Sequence, residues 1–199
     1  EGSYCYVKGF DFLFEGDVLF DIRELPRCMP HDLENAQAAL LLATKFGASV
    51  ESCVEILQEF KGLKHRLELV AERNGIPFIN DSKSTTPHST VSALRGIQDA
   101  VLIAGGKSKG LNLNLLKETN PMAVVAIGEA SEEIVEVFKD NCTIETANTM
   151  EEAVETAYKK ALPNGTVLLS PACASFDWYE SYSERGLDFI RAVSELKLF

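Results

Sequence analysis

Three short stretches gather side chains that could hold or transfer an anionic group. The first, Asn80-Asp81-Ser82-Lys83-Ser84-Thr85-Thr86-Pro87, packs one carboxylate, one ammonium and four hydroxyls into eight residues. A helix opening near Pro87 would present unpaired backbone N–H groups to an anion. The same residue types also cap and solvate ordinary turns, so composition leaves both readings open. The second stretch, Ala104-Gly105-Gly106-Lys107-Ser108-Lys109-Gly110, puts lysines behind a pair of glycines. It is not a Walker phosphate loop, which needs a glycine five residues before the Gly of Gly-Lys-Ser; Val101 stands there. A lysine-bearing turn that meets a carboxylate or phosphate remains, beside the alternative of two solvated lysines.

The third stretch is Ser170-Pro171-Ala172-Cys173-Ala174-Ser175-Phe176-Asp177. Its small side chains let backbone N–H groups approach a ligand, and Ser175 adds a hydroxyl. Cys173 could be read as a nucleophile with His65 or His88 as base. A cysteine between two alanines is more often a small packing residue, and nothing visible in the sequence lowers its pKa. Two further positions carry donors. Asn35, four residues after His31, could hydrogen-bond a purine edge, and Arg66 could grip a phosphate with its planar fork. Helix capping and ordinary surface structure are the alternatives for both.

The elements that must position these groups fall into two unequal segments. Residues 4–25 alternate short aromatic and β-branched runs (4–7, 10–14, 18–22) with turns at Gly9 and Glu15-Gly16-Asp17, which predicts strands. So small a sheet is not stable alone and reads as the edge of something else. Pro26 and Pro30 break the chain, a helix follows over 32–46, and a second over 49–60 has Ser49 at its N-cap. After Gly62 the pattern changes. Strands at 67–71 and 76–80 flank an Asn74-Gly75 hairpin turn. Later runs at 100–104, 123–127 and 166–170 are almost wholly apolar, as buried parallel strands are. Helical stretches at 89–94, 131–139, 150–161 and 183–196 alternate with them. That alternation predicts an α/β fold: a Rossmann-like, open, mostly parallel sheet with helices on both faces. Ligands of such sheets bind at the carboxyl ends of the strands, where all three stretches fall.

Bulk properties narrow the partners. The 199 residues are 46% hydrophobic and 25% charged, an ordinary globular balance. A formal charge of −11 argues against nucleic acid or an anionic membrane as partner, because phosphate binding needs positive patches. No apolar run is long enough to span a bilayer, and the start shows no signal peptide. Five cysteines without a CxxC pair suggest neither zinc nor a disulfide framework, and fit a reducing cytoplasm. The chain begins without Met and reads as an excised piece or one that has lost its start.

Taken in order, these segments resemble the Mur ligase family, and within it the branch that adds D-glutamate. His31-x-x-x-Asn35-Ala36 is similar to the family's HNxxN-A helix start, and Gly62-Leu63-Lys64-His65-Arg66 to its GLPHR junction. Residues 80–85 resemble NDSKAT, the Gly105-Gly106 turn resembles GG-x-x-K, and residues 170–177 resemble SPACASLD. The resemblance spans essentially the whole chain. Departures are Asp32 for the usual Asn, Lys64 for a common Pro, residues 84–87 for the usual AT-N, and Tyr182 where Phe is frequent.

The resemblance implies an ATP-dependent amide ligase of peptidoglycan synthesis. A carboxylate of UDP-N-acetylmuramoyl-L-alanine would be activated as an acyl phosphate and attacked by the amine of D-glutamate. It assigns Asn35, Arg66 and Asp81 to ATP, and Thr85, Lys109, Ser175, Phe176 and Tyr182 to D-glutamate. Lys83 would lie by the phosphates, with Lys109 and Lys83 as the catalytic pair. Lys109 is preferred to Lys107 because it lies three residues after the second glycine, as the family lysine does. The main Mg2+ ligands are expected outside this chain, and no metal site within it. Residues 1–60 would be the C-terminal remnant of the central ATP-binding domain and 61–199 the C-terminal domain, in a cytoplasmic monomer. Alone, the chain is expected to lack turnover. The rival expectations are another Mur-family amino-acid ligase, or a non-catalytic module that binds a nucleotide or an acidic ligand.

Overall fold

A computed structural model describes residues 4–197. The chain forms two compact units that divide between Gly62 and Leu63.

The first unit opens with an antiparallel meander of β1 (Cys5–Lys8), β2 (Asp11–Phe14) and β3 (Asp17–Asp21). The Glu15-Gly16 turn has φ of 53° and 99°, the paired positive values of the two-residue hairpin turn whose twist matches its strands. A single turn of 3-10 helix, Ile22–Glu24, leads to α1 (Pro30–Lys45) and α2 (Val50–Glu59). Pro30 sits in the first turn of α1, where its missing N–H costs nothing. Ser49 caps α2 as its position predicts, its hydroxyl accepting from the Ser52 N–H. The unit has its own core of Phe12, Phe14, Phe20, Leu25, Ala36 and Leu40, with the Phe12 and Phe20 rings stacked at 4.7 Å.

The second unit is a six-stranded sheet in the order β4-β5-β9-β6-β7-β8. Its strands are β4 (Glu68–Arg73), β5 (Ile76–Asn80), β6 (Ala100–Gly105), β7 (Ala123–Ile127), β8 (Thr143–Ala147) and β9 (Thr166–Ala172). Only β4 runs antiparallel, held to β5 by the expected turn at Asn74 (φ 50°) and Gly75 (φ 78°). The helices are α3 (Pro87–Arg95), α4 (Ser131–Phe138), α5 (Met150–Ala161) and α6 (Tyr182–Glu195), with a 3-10 segment at Leu113–Glu118.

The alternation of side chains along each strand builds two cores. Val101, Ile103, Val125, Ile127, Val167 and Leu169 face one side with Ala153, Val154, Ala157 and Phe189 of α5 and α6. Leu102, Ala104, Val124, Ala126 and Leu168 face the other with Val91 of α3, Leu116, and Ile134 and Phe138 of α4. The expected α/β class, a mostly parallel sheet covered on both faces, is the observed one. Strand β8 is not foreseen by the apolar-run pattern. It lies at the sheet edge, and its Thr-Ile-Glu-Thr-Ala sequence buries only Ala147 fully.

The strand order carries the functional consequence. β5 and β6 follow each other in sequence with only α3 between, yet β9 lies between them in the sheet. The loops that leave the carboxyl ends of β5, β9 and β6 therefore emerge side by side, at the point where the winding direction reverses. Among the described residues no helix is long and apolar enough to cross a membrane.

Candidate active site

The loop after β5 (residues 81–86) is held by its own polar groups. Asp81 is buried; its Oδ1 accepts from the Leu67 N–H at 3.3 Å, and its Oδ2 from the hydroxyls of Ser84 at 2.5 Å and Ser170 at 2.8 Å. Ser170 also meets Thr90 of α3. The Asp81 carboxylate thus ties the β5 loop to the end of β9, 89 residues away in sequence. Asn80, fully buried, donates to His65 Nδ1 at 3.0 Å and to the Gly186 carbonyl at 3.2 Å, while its Oδ1 accepts from the Ser82 N–H. His65 is itself buried, accepts from the Lys83 N–H through its carbonyl, and donates its own N–H to Glu68.

The loops after β6, β7 and β9 interlock through glycines. A Cβ on Gly106 would lie 2.2 Å from the Ala174 carbonyl oxygen, and one on Gly128 would lie 2.2 Å from Asp177 Oδ2. Lys107 and Ala174 exchange both main-chain hydrogen bonds, at 2.9 and 3.1 Å. The Ala130 N–H donates to the Gly106 carbonyl, and the Glu129 N–H to Asp177 Oδ2. Ala172 takes φ of 60° at the end of β9, with its N–H on the Ser84 carbonyl. A non-glycine residue in that region stores strain, and such outliers concentrate at working sites.

Against this framework a second set of side chains stands out. Among the described residues, Lys83, Thr85, Lys109 and Ser175 make no side-chain hydrogen bond or ion pair. Lys83 Nζ instead rests over the Tyr182 ring, 4.1 Å from its centroid. Ser175 is 2% exposed, at the foot of the β9 loop, whereas Phe176 beside it is 63% exposed. Lys109 is exposed on the glycine turn, while Lys107 pairs loosely with Glu129 at 3.8 Å. The five residues assigned by resemblance to D-glutamate, and Lys83 with them, all lie on these neighbouring loops and on the first turn of α6. Arg66 is exposed just before β4. Asn35 belongs to the first unit, exposed on the first turns of α1.

The departure at Asp32 is locally neutralised: its Oδ1 takes hydrogen bonds from Arg27 Nε at 3.1 Å and Nη2 at 3.0 Å. Cys173 is buried, and desolvation pushes its thiol up to about 11, against a weaker opposing pull from Arg185. It therefore stays protonated at neutral pH and is a packing residue. Because its folded-state value lies above the unfolded one, the native state keeps a proton that the unfolded chain loses. Stability is expected to fall as pH rises through the window from about 9 to 11. Iodoacetamide at pH 8 is expected to label exposed Cys28 well before Cys173, as read by peptide mass spectrometry. Prompt labelling of Cys173 would reverse the assignment.

Arg185 is the residue that sequence reasoning missed. It is 1% exposed, the largest fully buried side chain of the described residues. The only signal for it is a lone arginine on the otherwise apolar face of an amphipathic helix, with Gly186 beside it. That glycine is required because a Cβ there would stand 2.3 Å from His65 Nδ1.

Glycine turns, a buried Asp81 anchor and exposed lysines come together at the winding reversal of this α/β domain. Residues 65–173 match the family model described as Mur ligase, glutamate ligase domain. The chain belongs to the Mur ligase family. Among curated relatives, the UDP-N-acetylmuramoylalanine–D-glutamate ligase of Aquifex aeolicus is 41% identical over 196 residues, 96% of this chain and 47% of that protein. The protein of the same name from Francisella philomiragia is 37% identical over 202 residues, 98% of this chain and 49% of that one. The chain spans about half the length of the curated relatives it matches. Solved structures share the fold at low identity. The UDP-N-acetylmuramate-alanine ligase MurC of Thermotoga maritima aligns with TM-score 0.61 and 19% identity, over 87% of this chain and 40% of that one. A pseudomurein peptide ligase type C from Methanothermus fervidus aligns with TM-score 0.65 and 16% identity, over 82% and 37%.

Proposed function

We propose that this chain is the C-terminal part of an ATP-dependent ligase that joins D-glutamate to UDP-N-acetylmuramoyl-L-alanine. The observation that carries the reading is the division of labour in the loops. Asp81, Ser82, Ser84 and Ser170 are consumed in holding the loops together. Lys83, Thr85, Lys109 and Ser175 are left with open polar groups. Of those four, the family resemblance gives Thr85, Lys109 and Ser175 to D-glutamate and puts Lys83 by the phosphates. The names of the relatives, matched across nearly the whole of this chain, support D-glutamate as the amino acid.

In this reading Lys109, Thr85 and Ser175 hold the two carboxylates of D-glutamate, with Phe176 and Tyr182 as apolar walls. Their work is orientation: an amine held in line for attack gains most of the advantage of an intramolecular reaction. Lys83, braced on the Tyr182 ring, meets phosphoryl oxygens where negative charge accumulates. ATP, when bound, supplies the phosphoryl group that activates the acceptor carboxylate. The residues fit it: Arg66 and Asn35 are exposed donors, and Arg27 neutralises the carboxylate of Asp32 three residues before Asn35. Asp81 serves the nucleotide through the loop it anchors. Among the described residues no three His, Cys, Asp or Glu side chains gather as a metal cluster, and the main Mg2+ ligands are read as lying outside this chain. Residues 1–60 are read as the end of the central ATP-binding domain and 61–199 as the C-terminal domain, in a cytoplasmic monomer.

The test is phosphate release by the full-length ligase with a panel of amino acids. D-glutamate is expected to support it, and L-alanine or a diamino acid to give at most a few per cent of that rate. Equal activity with L-alanine would overturn the choice of amino acid. This chain assayed alone is expected to show no D-glutamate-dependent ATP hydrolysis.

A further inference from the structure

The four hydrogen bonds of Arg185 run to two different loops. Nε donates to the Ser82 hydroxyl at 2.9 Å and Nη2 to the Ser82 carbonyl at 2.9 Å. Nη1 donates to the carbonyls of Cys173 at 3.1 Å and Ala174 at 3.0 Å. Ser82 precedes Lys83 and Ala174 precedes Ser175, so each end of the fork stops one residue short of a proposed substrate group. The third loop joins through Ala174, which is bonded to Lys107 on both main-chain atoms. Ser82 closes the arrangement by donating its hydroxyl to the Tyr182 carbonyl, on the same turn of α6 that carries the arginine. That turn is fixed in its own right: Ser181 caps it by accepting from the Glu184 N–H, and the Glu184 carboxylate accepts from the Glu180 N–H.

All four acceptors of Arg185 are neutral, and no carboxylate lies within ion-pair distance of it among the described residues. An ion buried without a counter-charge is costly, and if tying two loops were its sole task a neutral donor would serve at less cost. The charge, countered only by Asp177 beyond ion-pair distance, sits where an anion is expected to bind, and low local polarity extends its reach. We propose that Arg185 is a positioning residue for D-glutamate, whose fork fixes Lys83 and Ser175 relative to each other and whose charge, held in no ion pair, strengthens binding of the dicarboxylate. The inference rests on the D-glutamate reading above.

The groups that face Arg185 are Asp177, Cys173 and Tyr179, with the glycine turn bearing Lys107 and Lys109 against Nη1 and His65 against the neighbouring Gly186. Burial lowers the guanidinium to about 10, partly offset by Asp177, which leaves it charged at neutral pH.

The test uses Arg185→Met and Arg185→Lys in the full-length ligase. Arg185→Met is expected to raise the KM for D-glutamate about tenfold or more, the loss of a charged hydrogen-bonding group, while the KM for ATP moves less than about threefold. Arg185→Lys keeps the charge and loses the fork. It is expected to recover much of the D-glutamate affinity at pH 7 and to lose it, relative to wild type at the same pH, as a buried ammonium deprotonates towards pH 9.5. A merely structural role would lower the yield of active enzyme without this selectivity or pH dependence, and that result would overturn the proposal. So would an unchanged D-glutamate KM in Arg185→Met. Absence of D-glutamate dependence in the wild type would instead overturn the functional reading. The clamp is then read in the full-length ligase by amide exchange, expected to quicken at residues 82–85 and 173–175 in Arg185→Met, and unchanged exchange would remove it.

Discussion

Replacing Lys109 with alanine in the full-length ligase is expected to raise the KM for D-glutamate by about ten- to a hundredfold. A hydrogen bond to a charged partner contributes about 1.5–3 kcal/mol, and each 1.4 kcal/mol is a factor of ten. The exposed ammonium makes no ion pair among the described residues, so its interaction energy is available to a ligand carboxylate. Lys107→Ala supplies the contrast. Its side chain meets Glu129 at 3.8 Å on the surface, an interaction worth about 0–1 kcal/mol, and its fixed contribution to the site is main-chain pairing with Ala174. That variant is expected to stay within about threefold of wild type. Steady-state kinetics with D-glutamate as the varied substrate decides the matter. A Lys109→Ala enzyme with an unaltered KM, or a larger effect at Lys107, would move the substrate assignment off this lysine.

The second large effect is expected at Gly105, the last residue of β6. Gly105→Ala would put a Cβ 2.0 Å from the Ile127 carbonyl oxygen and 2.9 Å from its carbonyl carbon, in a backbone at φ 127° that alanine does not favour. Both neighbours are main chain and cannot rotate away. Gly105 is in register with Ile127 on β7 and with Ala172 on β9, so relief requires the sheet to part where the site loops begin. Backbone strain and overpacking each cost about 1–3 kcal/mol, which together place the loss at roughly 3–5 kcal/mol. Gly110→Ala is the control: its φ is 69° but a Cβ there meets nothing within 4 Å, so only the conformational cost of about 1–2 kcal/mol applies. Denaturant titration followed by Trp178, the single tryptophan, which lies beside the Ser175 loop, measures both. Equal midpoints for the two variants would show that the close approach at Gly105 relaxes easily.

Local order was readable wherever a residue's own chemistry dictates its conformation. Asn74-Gly75 announces a hairpin turn because positive φ is inexpensive for both residues, and Gly16 marks the other turn for the same reason. Ser49 announces a helix start because its hydroxyl replaces a missing hydrogen bond. The runs at 100–104, 123–127 and 166–170 announce strands buried on both faces because no position in them tolerates water. β8 was hidden because an edge strand buries little and its polar Thr and Glu positions look like a loop.

The chemistry of the loops divides along the same line. The residue types at 80–87, 104–110 and 170–177 allow a carboxylate or phosphate to be met there, and the resemblance to a ligase family adds residues 31–36 and 62–66 to them. The sequence by itself does not show which of the hydroxyls and charges are spent on structure, because that depends on partners far along the chain. Asp81 reads as a ligand group from its loop alone, and only the structure adds that Ser170, 89 residues on, donates to its Oδ2. Arg185 looks like a surface charge until the insertion of β9 between β5 and β6 brings Ser82 and Ala174 within reach of one guanidinium. Sequence determines which loops can do chemistry; strand order, a non-local property, decides which of their atoms remain free to do it.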